Sequence, residues 1–245
     1  MTFFDTLVTT WHFLTTSASY RGNDGIGHYL LQHLEYTLVS LLLALVIAVP
    51  LGAVIGHTGR GAWFVVGTST ALRALPSLGV VVLLVSTQGI SATWLVVTLV
   101  VLAVPPIMLG TLAGVAGVDP DVVDASRGVG MTGRQVLLEV ELPNAMPVLF
   151  GGVRTAALQI VATASIAAVV GLQGLGQLVI NGVYNRDVPQ AIAGAVLIAL
   201  LAVVVDLALA GVQRVLVPTG VQLLAGPRRA PVLLRRGPAR EGTPA

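Results

Sequence analysis

The chain has 245 residues, of which 55% are hydrophobic and 10% charged, with a formal net charge of +2 and a mean hydropathy of +0.90. Soluble domains carry roughly 25% charged residues, so a water-surrounded globule is excluded and a membrane protein is indicated. There is no cysteine, which rules out disulfides, thiolate metal sites and cysteine nucleophiles.

The first stretch, Met1 to Tyr20, contains Phe3, Phe4, Trp11 and Phe13 but is too short and polar to span a bilayer. Residues 1–33 are therefore expected to form an interfacial segment with aromatic anchoring. The N-terminus lacks the basic region and small-residue cleavage site of a signal peptide. Beyond it, five stretches approach the roughly 20 apolar residues that a spanning helix needs. They are Leu34 to Gly56, Ala62 to Ser86, Ala92 to Val115, Pro147 to Val170 and Gln190 to Val217. Pro50, Pro76 and the pair Pro105-Pro106 interrupt three of them and are candidate flexing points. Gly110 and Gly114 form a GxxxG pair, and Gly151, Gly152, Ala156 and Ala157 crowd a later span. Such residues let membrane helices approach closely, here for packing within the chain.

The polar loop from Ala116 to Ala145 separates two spans. Asp119-Pro120 starts a helix, because Asp caps it and Pro is pre-set for its first position. Gly128 and Gly130 end it. Thr132-Gly133-Arg134-Gln135 reads as a capping box for a second short helix, which Pro143 is expected to stop. The segment thus reads as two amphipathic helices around a glycine turn, a handle on the water side for a soluble partner.

Of the 13 basic residues, all arginine, five (Arg228, Arg229, Arg235, Arg236 and Arg240) lie in a Pro- and Gly-rich tail covering 218–245. The tail is expected to be disordered and to fix the C-terminus in the cytoplasm. The polar loop falls on the same side. Because the rest of the chain is apolar, the arginines point to topology and not to nucleic acid. The expectation is an all-α, polytopic membrane helix bundle of about five spans over residues 34–217.

The pattern Asp124-Ala125-Ser126, Gly130, Val140 and Leu142-Pro143 resembles the EAA signature of permease subunits of bacterial ATP-binding-cassette importers. That signature reads Glu-Ala-Ala, three residues, Gly, nine residues, Ile, one residue, Leu-Pro. The chain departs from it in Asp for Glu, Ser for the second Ala and Val for Ile, each preserving charge or size. Arg73-Ala74-Leu75-Pro76-Ser77-Leu78, Gly152 to Ala156 and Gly171-Leu172-Gln173-Gly174-Leu175-Gly176 resemble the branch for glycine betaine, choline and related osmoprotectants. Related elements occur in methionine permeases, so methionine or another small polar solute is the alternative cargo.

The resemblance implies that residues 116–145 carry coupling helices that dock on a separate ATPase, which uses ATP and Mg. It implies no cofactor and no catalytic residue in this chain. A second permease copy or paralogue, an extracytoplasmic binding protein and the bilayer of a bacterial inner membrane are the other implied partners. A passive channel or a membrane enzyme is the rival class. An enzyme would need a His/Asp/Glu cluster within the spans, and none is visible in the sequence.

Ionisable groups at membrane depth are functional candidates, since they are costly there. Arg73, Pro76, Ser77, Gln173, Gly174 and Gly176 are candidate pathway or gate residues. An arginine would repel a purely cationic substrate and attract a betaine carboxylate, so Arg73 is read either as a substrate contact or as a structural pair. Arg154 and Asp206 lie at similar depths in two spans and are expected to form a structural ion pair. The four histidines lack metal spacing and are expected to be solvated or interfacial. Trp63, Phe64 and Trp94 form no evident cage for a quaternary ammonium.

Overall fold

The computed structural model describes residues 3–16, 20, 22, 25–74, 76–218 and 220–221, with the side chains of Phe3 and Arg73 outside the description. The expectations that fall on Arg21, on the tail arginines and on the Arg73 side chain lie outside the described residues. The described chain is helical: α1 (Phe3–Thr15), α2 (Ile26–Thr58), α3 (Ala62–Ala74), α4 (Ser77–Gln88), α5 (Ala92–Ala116), α6 (Pro120–Gly128), α7 (Gly133–Gln135), α8 (Leu142–Ala164), α9 (Gly176–Tyr184) and α10 (Val188–Leu216). A π-turned stretch, Val136–Glu141, joins α7 to α8, and a 3-10 stretch, Ser165–Val170, extends α8.

Four helical stretches are long and apolar enough to cross a membrane: α2, α5, the run from Gly133 to Val170, and α10. At ~1.5 Å per residue, the 25 residues of α5 reach about 38 Å, more than the ~30 Å of a hydrocarbon core. α3 and α4 are too short singly. They are bent by 81° at the break near Pro76 and make a fifth span if the bent pair is counted as one. Successive spans alternate in direction, which puts the 59–61 turn, the polar loop and the end of α10 at one end of the bundle.

α5 is the centre. It packs against α2 on one flank and α8 on another, and α3 and α4 also lie on it. Leu95, Leu99, Ala103 and Ile107 have no measurable exposure. Missing side chains set the approach. A Cβ on Gly52 would stand 2.8 Å from the Met108 carbonyl oxygen, and one on Gly114 would stand 2.8 Å from that of Ala145. The Gly110/Gly114 pair thus serves α5–α8 packing within the chain. Outward residues such as Leu42, Val46 and Leu207 remain exposed and apolar, the surface a bilayer would cover.

Three expectations are corrected. α2 starts at Ile26 and not at Leu34, because the polar residues that dilute its first turns find partners on distant elements. α2 and α5 run unbroken through Pro50 and Pro105-Pro106, so of the three proline-containing stretches only the one with Pro76 is broken among the described residues. Pro143 does not stop a helix: it occupies the first turn of α8, and the chain is helical from Gly133 onward. An α-helical Pro143 would press its ring on the carbonyl four residues back. The π turn just before it changes that register, as the Leu142 N–H bonds Leu137 O. The Asn144 side-chain amide donates to Val140 O at 2.7 Å.

Candidate functional site

The polar loop is built by its caps. The Asp119 carboxylate accepts from the Asp121 N–H at 3.0 Å, and Pro120 opens α6. At the other end the Met131 N–H reaches Ser126 O at 3.2 Å and the Gly130 N–H reaches Arg127 O at 3.0 Å. These are the two bonds of a Schellman motif, which needs a left-handed residue at its turn. Gly130 supplies it with φ +90°. Nothing lies within 4 Å of a Cβ built there, so the glycine serves the backbone and not a close contact. Thr132 and Gln135 then form the capping box, each side chain bonding the other's backbone.

α6 has no buried residue. Asp121, Val122, Ala125, Ser126, Val129 and Met131 line a shallow, mainly apolar groove, with Val129 81% exposed. Asp124 and Arg127 pair loosely at 3.9 Å on the exposed surface, a contact of little energetic weight. The other pattern residues look inward. Val140 is half-buried in the π stretch, and Leu142 packs into the main core and into a small cluster with Ala53, Val115 and Ala145. The pattern therefore combines an exposed, small-residue face at Asp124, Ala125 and Ser126 with an anchored root at Val140, Leu142 and Pro143.

At the opposite end, the turn after α8 is fixed by close packing. A Cβ on Gly176 would collide with the backbone carbonyl of Ser165. Gln173 Oε1 lies 2.8 Å from His28 Nε2 on α2. Gln32 and Tyr36 extend this polar row along α2, the Tyr36 hydroxyl donating to Gln32 Oε1 at 3.1 Å. The far end of α4 meets the same region, where Val82, Val85, Ile90, Val169 and Gly171 line a groove. Pro76 and Ser77 start α4 and do not line that groove, whose first lining residue, Val82, follows Ser77 by five residues, about 8 Å at ~1.5 Å per residue. The structure thus brings Gln173, Gly174 and Gly176 together and leaves Pro76 and Ser77 apart from them. Arg73 lies on α3, before the same break.

Arg154 on α8 donates two hydrogen bonds to Asp206 on α10, Nε to Oδ1 at 2.7 Å and a terminal nitrogen to Oδ2 at 2.6 Å. Trp63 and Phe64 meet edge to face at 5.9 Å but are 80% and 58% exposed on α3, placed to face lipid and not a cage.

The reading of all four histidines as solvated or interfacial fails at His33 and His57, whereas His12 is exposed as expected. His33 has no exposure, and its Nε2 reaches Val161 O on α8 at 3.0 Å. His57 Nδ1 donates to Glu141 Oε2 at 2.6 Å. Neither link has a local signal, since the partners are 128 and 84 residues apart. Glu141 occupies the unassigned position between Val140 and Leu142.

The model of the family described as "binding-protein-dependent transport system inner membrane component" matches residues 23–219. The chain belongs to that family. It is a multi-pass transport-system permease, and the match covers all the spans and the capped loop. Among curated relatives, the osmoprotectant import permease protein OsmW of Salmonella typhimurium is 36% identical over 218 residues, 87% of this chain and 99% of its own. The carnitine transport permease protein OpuCB of Listeria monocytogenes is 33% identical over 202 residues, 80% and 92% of the two chains. The choline transport system permease protein OpuBB of Bacillus subtilis is 33% identical over 193 residues, 79% and 89%. Among solved structures, a chain of the inward-facing MetNI methionine ABC transporter superposes with a TM-score of 0.68 at 22% identity, over 79% of this chain and 96% of that one. That last match is a likeness of fold.

Proposed function

We propose that this chain is the membrane-spanning permease of an ATP-driven importer for osmoprotectants, quaternary amines such as glycine betaine, choline or carnitine. The observation that carries the cargo is the agreement of the curated relatives, which are named for osmoprotectant, carnitine or choline transport and match along nearly their whole lengths. The methionine alternative rests on a likeness of fold at 22% identity, which does not reach the substrate. In this reading α6 and its groove dock on an ATPase in the cytoplasm, where that partner binds ATP and Mg. A second permease copy or paralogue completes the pathway, and an extracytoplasmic binding protein delivers the solute.

The chain's own geometry supports a lever of this kind. α6 exposes apolar side chains at an end of the bundle that carries Arg60, Arg127, Arg134 and Arg214. Its root continues without a break into α8, and α8 packs on the central α5. A load on α6 therefore reaches the root across the capped 129–132 turn and through the packing of α6 on the π-turned stretch, and from there passes to the spans through helix. Selectivity is assigned to the binding protein, because the aromatic side chains at Trp63 and Phe64 face outward.

The test is reconstitution of the chain with its cognate ATPase and binding protein in liposomes, followed by uptake of radiolabelled glycine betaine, choline, carnitine and methionine. ATP-dependent accumulation of at least one quaternary amine is expected. Accumulation of methionine alone would transfer the cargo to the alternative, and uptake that ignores ATP would remove the importer reading.

A further inference from the structure

Glu141 is a carboxylate with a 6% exposed side chain at the inner edge of the capped loop. A buried charge of this kind costs several kcal/mol unless it is paired and hydrogen-bonded. Its partner, His57, stands in the last turn of α2, and its Nδ1–H donates at 2.6 Å. Both the Nδ1-protonated neutral ring and the imidazolium carry that proton, so the bond does not depend on the charge of the ring. The ring also borders α7, since a Cβ on Gly133 would lie 3.6 Å from His57 Nε2.

The position of this bond gives it mechanical meaning. Glu141 closes the π-turned stretch, where i→i+5 bonding and a following proline leave the helical ladder irregular. α6 packs on that same stretch. A helix that bears load through an irregular turn needs a tie outside its own backbone. Directly beneath, Ala53 of α2, Val115 of α5 and Ala145 of α8 form an apolar cluster with Leu137 and Leu142, so the tie closes over a packed junction of three spans. Apolar contacts there resist separation, whereas a short directional bond also fixes the angle of α2 to the loop root.

We infer that the His57–Glu141 hydrogen bond is the joint that makes the capped loop and the near end of α2 move as one body during transport. Both side chains are then positioning residues for coupling. The inference rests on the transport reading above, and two measurements separate their failures.

The first uses the purified chain alone in detergent. Glu141→Ala should speed amide exchange across residues 133–141, and Glu141→Gln, whose side-chain oxygen still accepts from Nδ1–H, should not. Equal exchange in Glu141→Ala and the parent would overturn the joint whatever the chain transports. The second uses the complete complex with glycine betaine as the probe. Glu141→Ala and His57→Ala should raise the ATP hydrolysed per solute imported by about fivefold or more, the low end of a site-to-site coupling energy, with the ATPase still copurifying. Glu141→Gln should restore the parent ratio. Residues that merely aid folding would lower yield, hydrolysis and uptake together and leave the ratio unchanged, which would also overturn the joint. Because the chain has no cysteine, His57→Cys with Glu141→Cys can be bridged by a short bifunctional thiol reagent. Uptake should survive bridging, and its loss with the ATPase still bound would mean that the pair must open. A parent complex that imports no quaternary amine would refute the cargo reading and leave the exchange result standing.

Discussion

At Gly152 an added Cβ would lie 2.5 Å from the Pro106 carbonyl oxygen and 3.1 Å from Gly110 Cα, whereas at Gly151 it would meet nothing within 4 Å. Both obstacles at Gly152 are backbone, so no rotamer change relieves them and α5 and α8 must separate. Overpacking of this kind costs about 1–3 kcal/mol. Gly152→Ala should therefore lower the thermal unfolding midpoint in detergent, and Gly151→Ala should leave it unchanged or raise it slightly by removing glycine's chain entropy. Temperature-ramped size-exclusion chromatography compares them directly, and equal midpoints would contradict the packing described. The two glycines are adjacent in the sequence and look alike there. Small residues at helix spacing indicated close packing in this segment, but only the facing Pro106 and Gly110 decide which glycine bears it.

The ends of α6 and the start of α7 were legible because their signals are local: Asp119-Pro120, Gly130 and the Thr132–Gln135 box each act within a few residues. The stop expected at Pro143 was not, since the π turn and the Asn144 side chain together accommodate a proline that would end an isolated helix. The true start of α2 was hidden for a different reason. His28 and His33 lower the hydropathy of its first turns, and their compensation lies at Gln173 and Val161, far along the chain. Arg154 and Asp206 are a long-range pair that the sequence did suggest, because two lone charges at similar depth in two apolar spans have few other partners. Their bidentate bond ties α8 to α10. Arg154→Leu or Asp206→Leu alone should lower the unfolding midpoint, because each strands one charge among apolar helices. The double variant should lie nearer the parent than either single, since it removes both charges together. Strictly additive losses in that cycle would show that the pair contributes nothing as a pair.

For the whole molecule, the decisive quantity is orientation. The described end that holds α6 carries Arg60, Arg127, Arg134 and Arg214, whereas the opposite end carries Arg186 next to Asp187. The positive-inside bias leads us to propose that the arginine-rich end faces the cytoplasm. The proposed coupling requires the same side, because an ATPase outside the cell would lack its nucleotide. A cysteine-free chain allows a direct test with single thiols. Val129 and Tyr184 are matched probes, 81% and 82% exposed at opposite ends of the bundle, so a difference in labelling between them reports sidedness and not burial. In spheroplasts, a membrane-impermeant maleimide should label Tyr184→Cys and spare Val129→Cys, and in inside-out vesicles the pattern should reverse. If Val129→Cys is the one labelled in spheroplasts, α6 lies on the side without ATP, and the arginine rule and the proposed docking fail together. Labelling of both thiols only after detergent would instead mean that a partner covers each end, a result that repeating the experiment without the ATPase and binding protein would convert into one of the first two.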